Sequence, residues 1–83
     1  MIESELQIKE YIDSMKELAK SHNFRIPGRF VVISENKTGD SFYGKFINDY
    51  CRTYKQAVEF KSFLKEKENL NSVIADDKFN AFE

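Results

Sequence analysis

The run FVVIS, Phe30 to Ser34, is apolar on both of its alternating faces and rich in β-branched residues. Successive side chains of a strand point to opposite sides, so a strand wetted on one side alternates apolar with polar. This run does not alternate. It predicts a strand that is covered on both sides or placed centrally in a sheet.

The flanking residues extend that reading. Upstream, RIPGRF (Arg25 to Phe30) puts Pro27 and Gly28 where a type II turn needs a fixed φ followed by a positive one. Before the turn, Ile8, Tyr11, Ile12, Met15, Leu18 and Ala19 recur at helical spacing, with charged residues between them. This predicts an amphipathic helix from about Glu5 to His22, opened by a Ser4/Gln7 capping box and ended by a left-handed Asn23. Downstream, SENKTGD supplies a hairpin loop in which Gly39 takes the positive φ. Ser41 to about Tyr50 returns as a second strand, with Phe42 and Phe46 toward the core and Tyr43 and Lys45 on a more exposed face. Gly44, inside that strand, predicts a bulge or a close approach of another element.

Thr53 and Gln56 form another capping box, which opens a helix over Tyr54 to about Lys67 with a stripe of Ala57, Val58, Phe60, Phe63 and Leu64. A short strand near Val73 to Ala75 follows, with Phe79 and Phe82 as late apolar anchors. The order is α-β-β-α-β, a small α+β fold. The expected architecture is an antiparallel hairpin extended by a C-terminal strand and packed on one face by two helices, all of residues 1–83 forming one domain.

Composition narrows the function classes. The chain is 41% hydrophobic and 33% charged with net charge −1, which fits neither a disordered polyampholyte nor a surface devoted wholly to phosphate. No apolar run approaches the roughly 20 residues that span a bilayer, and the acidic start MIESELQIKEY is unlike a secretory signal. The lone Cys51 is compatible with a reducing, cytoplasmic setting. Charge is uneven: residues 20–55 carry seven bases against three acids, whereas residues 1–19 carry five acids against two lysines.

The residues that could carry chemistry each have a plainer explanation. Cys51 with His22 and Asp49 has the composition of a thiol site, but Cys51 reads as a small hydrophobe and His22 as a helix C-terminal residue. Asp76 and Asp77 lack the further oxygen ligands of a calcium loop and read as a turn. NKTGD lacks the second glycine and the Lys-Ser/Thr of a phosphate-binding loop. No cofactor, metal or catalytic residue is therefore expected, and the chain reads as a non-enzyme. The heptad spacing of Ile8, Tyr11, Met15, Leu18 and His22 is too short for a coiled coil and reads as a sheet-covering face.

Two partner classes follow. The preferred one is a protein partner bound through amphipathic tyrosines and a charged rim, with Lys37, Asp40, Tyr43, Lys45 and Tyr50 as the expected contact residues. The alternative is weak nucleic-acid binding through Arg25, Arg29, Lys37, Lys45, Arg52 and Lys55. The segment SFYGKFI partly resembles the signature of RNA-recognition modules, which implies aromatic stacking on an open sheet face. Phe30 to Leu64, a hairpin followed by the Thr-capped helix TYKQAVEFKSFL, resembles the small DNA-binding modules of phage integrases, which implies a sheet entering the major groove. In size and in its Lys/Glu/Asn/Phe-rich make-up the chain is similar to the small inhibitors carried by bacteriophages and mobile elements, anti-CRISPR proteins among them.

Overall fold

The computed structural model describes residues 3–23, 26–36 and 44–82, with only the backbone described for residues 3 and 4. The elements run α1 (Glu3–His22), β1 (Phe30–Glu35), β2 (Phe46–Cys51), α2 (Tyr54–Glu68) and β3 (Ser72–Asp76). The three strands form one antiparallel sheet in the order β2-β1-β3. Phe30 pairs with Cys51 on one side and with Asp76 on the other. The helix α2 thus connects two parallel strands that are separated by β1, a split β-α-β arrangement.

The helices lie on opposite faces of the sheet. Val31 and Ile33 of β1 point into a cluster with Ile8 and Ile12 of α1, together with Ile26, Val73, Ala75 and Phe79. Val32 points the other way, into a cluster with Ala57 and Leu64 of α2 and with Ile74. The expectation of two helices on one face is therefore corrected, and the reason lies in β1. Val31, Val32 and Ile33 are each fully buried, so each side of the strand needs its own apolar cover.

Helix geometry decides which stripe residues reach the sheet. At 100° per residue, Tyr11, Ile12, Met15 and Ala19 stay within about 60° of Ile8, whereas Leu18 lies about 80° away. Leu18 is accordingly exposed. On α2 the same rotation carries Val58 and Phe63 to the flanks of the Ala57–Leu64 line, and both are exposed, Phe63 stacking on Phe60 at 6.1 Å.

Thr53 and Gln56 make the expected capping box, and Asn69 ends α2 in the left-handed region. Asn23, at φ 53°, follows α1 in the same conformation. The helix α1 begins at Glu3, which places Ser4 inside it and corrects the Ser4 cap. Glu5 in the first turn is favourable beside the positive end of the helix dipole. The expected hairpin loop around Gly39 and the first part of the expected second strand, with Phe42, lie outside the described residues. Gly44 has φ 72° with nothing within 4 Å of a Cβ placed on it. It serves the turn by its conformation rather than by allowing a close approach, which corrects that expectation.

After β3 the chain folds back along the sheet. Asp76 N–H donates to the Asn80 carbonyl at 3.0 Å, and Phe82 N–H donates to the Ile74 carbonyl at 2.7 Å. The Asp76 carboxylate holds this turn, accepting the Lys78 and Asn80 backbone N–H groups at 2.8 Å each and the Asn80 side-chain amide at 3.1 Å. Burial pushes its carboxyl up, but the hydrogen bonds from Asn80 and Lys78 and the Lys78 charge outweigh this and hold it below the usual aspartate value.

A depressed native value means stability that is present in full above the ordinary aspartate pKa and lost as pH falls through the native one. Asp76→Ala is therefore expected to cost about 1–3 kcal/mol at neutral pH. Melting curves should show the gap between wild type and variant closing in acid. A gap independent of pH would mean that the carboxylate charge does not hold the turn.

Candidate functional site

The two outer edges of the sheet differ. The outer edge of β3 is closed by residues 80–82 through the bonds just described and the Ala75–Ala81 bridge. The outer edge of β2 is paired with no described residue. Asn36 N–H donates to the Lys45 carbonyl at 2.9 Å, which makes Asn36–Lys45 a hydrogen-bonded pair of the β1–β2 ladder. Pairing alternates along an antiparallel ladder, so Ile47 and Asp49 direct their backbone groups toward β1. Phe46, Asn48 and Tyr50 then turn their N–H and C=O groups outward.

The side chains of these three residues lie on the α1 side. The Phe46 and Tyr11 rings sit 4.9 Å apart, and the Asn48 amide donates to the Tyr11 hydroxyl at 3.1 Å. Tyr50, beyond the reach of α1, is 41% exposed. Ile47, Asp49 and Cys51 lie on the α2 side by alternation, and Cys51 packs on the α2 cluster.

Beside this edge runs an open groove of about 630 Å³ between β2 and α2, lined by Asp49, Tyr50, Cys51, Arg52, Gln56, Glu59 and Phe60. Its lining combines the partly buried Cys51 and Phe60 with the charged Asp49, Arg52 and Glu59. Burial pushes the Asp49 carboxyl above the usual aspartate value. Burial also pushes the Cys51 thiol up, and the Asp49 charge pushes it further. A thiolate is thus disfavoured where a thiol nucleophile would need one. His22 ends the helix on the other face of the sheet from the Cys51 side chain. Among the described residues no group of three or more His, Cys, Asp or Glu side chains converges to hold a metal ion.

The expected site residues scatter. Of the protein-contact set, Lys37, Asp40 and Tyr43 lie outside the described residues. Lys45 is exposed in the turn before β2, where it lines a groove with Gln7 of α1, Glu35, Asn36 and Phe46, whereas Tyr50 lies about 17 Å further along the strand. Helix α2 packs against Cys51 at the far end of β2, whereas Lys45 is exposed. Of the nucleic-acid set, Arg25 and Lys37 lie outside the described residues. Arg29, Arg52 and Lys55 gather at one end of the sheet, where Arg29 N–H donates to the Cys51 carbonyl at 3.1 Å. Lys45 is at the other end.

Those three bases neighbour an aromatic triangle of Phe30, Tyr54 and Phe82, with ring centres 5.8 to 6.0 Å apart. Neither face of the sheet is open for stacking bases or for entering a DNA groove, which removes the modes implied by the RNA-recognition and integrase resemblances. Asp49, Gln56, Glu59 and Phe60 were not among the expected contacts. The signal for them was a charge in mid-strand, a usual mark of a managed sheet edge.

No family model matches the chain, and neither a curated protein nor a solved structure matches it. No helix among the described residues is long and apolar enough to cross a membrane.

Proposed function

We propose that the chain is a small non-catalytic protein-binding module that accepts an extended segment of its partner as an added strand on the outer edge of β2. One observation carries this reading. The sheet has two edges, and the chain closes one with its own C-terminal residues while the other presents outward backbone groups beside a groove. An unpaired edge is a template for another strand, and main-chain hydrogen bonds supply affinity while neighbouring pockets supply selectivity. An inhibitor character, of the kind mobile elements direct at host proteins, is part of the proposal and rests on resemblance in size and make-up alone.

A library of displayed ten-residue peptides tests the edge. Peptides enriched on the wild-type protein should lose binding to Tyr50→Pro, because proline removes an outward N–H without removing a bond to β1. Tyr50→Ala, which keeps the N–H, should weaken binding by about 1–2 kcal/mol through the lost ring. Enriched peptides that bind a folded Tyr50→Pro protein as tightly as wild type would sink the proposal.

A second reading has its own observation, the gathering of Arg29, Arg52 and Lys55 beside the Phe30–Tyr54–Phe82 rings. A single-stranded nucleic acid held there would dissociate steeply as salt rises, which strand addition would not.

A further inference from the structure

We infer that the segment accepted by the β2 edge carries a lysine or arginine on its α2-facing side, placed to meet Asp49 and Glu59. This rests on the reading of β2 as the binding edge and specifies its ligand. Asp49 sits in the middle of the edge strand, opposite Val32, with its side chain on the side covered by α2. Its carboxylate has no hydrogen bond or ion pair with any described residue. Burial raises its carboxyl pKa, the mark of a charge that the free protein leaves uncompensated. Glu59 of α2 lines the same groove and adds a second negative charge. Arg52 lines it too but makes no ion pair with either acid.

A strand added to β2 would lie about 4.8 Å away and place every second side chain on the α2 side, within direct reach of Asp49. A lysine or arginine there would bring its charge to the two carboxylates and lay its aliphatic stem along Cys51 and Phe60. Charge selects this occupant over a second copy of the chain. Antiparallel pairing of two β2 edges would set both Asp49 side chains on one face within a residue or two of each other. Such a charge within an edge strand deters self-pairing while leaving the edge open to a complementary strand. The same acids repel phosphate, so a nucleic acid is disfavoured in this groove.

The test uses peptides enriched on the full chain, resynthesised and measured in solution. The enriched set should carry lysine or arginine at one position of the alternating pattern. Exchanging that residue for glutamate should weaken binding to the wild-type protein about tenfold or more. The same exchange should weaken binding to an Asp49→Asn/Glu59→Gln protein less than about threefold, with melting curves establishing that the double variant is folded. Peptides that need the Tyr50 N–H but show no basic preference would overturn this inference and leave the edge reading standing. So would a lysine-to-glutamate penalty that is the same in the double variant. Failure to enrich any peptide that depends on the Tyr50 N–H would overturn both.

Discussion

Phe79→Ala is expected to lower stability by about 3–5 kcal/mol, the range for removing a fully enclosed phenylalanine. Phe79 is 1% exposed and is the largest of the fully buried side chains. It seals the α1-side cluster of Ile8, Ile12, Val31, Ile33, Val73 and Ala75 from the end where the chain turns back after β3. The protein places it at φ 62°, a conformation rare for a bulky residue, so burial of the ring must outweigh the backbone cost. A chain of this size has a small core, and a loss of this order takes a large share of a total near 5–15 kcal/mol. The melting temperature should fall by about 15 °C or more. Phe82→Ala, at a ring that is 53% exposed, should shift it far less. Equal effects from the two would show that the C-terminal segment does not close the core.

Gly28→Ala is expected to cost about 2–4 kcal/mol, for two reasons that act at one atom. Gly28 sits at φ 95°, which L side chains rarely adopt, and a Cβ placed there would lie 2.7 Å from the Cys51 carbonyl oxygen. That oxygen belongs to backbone and accepts the Arg29 N–H at 3.1 Å, so it cannot retreat without opening the end of the β1–β2 ladder. Gly44→Ala separates the two reasons. Gly44 has a positive φ of 72° but open space around it, so only the conformational cost of about 1–2 kcal/mol applies. Similar losses at both positions would mean that the contact with Cys51 is relieved by a small shift.

The order of elements was legible because each rested on a local signal. The Thr53/Gln56 box, the left-handed Asn23, the Pro27-Gly28 turn and the two-sided apolar run of β1 are short-range features that tertiary packing did not override. The placement of the helices was also written in β1, since a strand with Val31, Val32 and Ile33 in a row needs cover on both sides. An expectation that put both helices on one face conflicted with that strand. Strand two was harder. Its Phe42, Phe46 and Tyr50 alternation suggested a long strand, yet β2 begins at Phe46, after a turn at Gly44 that strand propensity alone does not reveal.

The candidate site was legible only in part. Tyr50 and Lys45 were singled out for amphipathic or charged character, and only Tyr50 lies on the groove. A groove between β2 and α2 depends on which sheet edge stays open, and that is a property of strand order. The sequence separation of β3 from β1 hides that order. Closure of the β3 edge by residues 80–82 is hidden further, because Asn80, Ala81 and Phe82 carry no strand pattern of their own.

On the proposed reading, β2 offers an open edge which a partner strand closes. Amide hydrogen exchange read residue by residue tests it on the free protein and on its complex with a peptide enriched from the displayed library. In the free protein the Asn48 and Tyr50 amides should exchange fast while Asp49, bonded to β1, is protected. On peptide binding, the Asn48 and Tyr50 amides should slow together. Asn48 and Tyr50 amides already as protected as Asp49 in the free protein, or unchanged in the complex, would show that β2 is not the edge that binds the peptide.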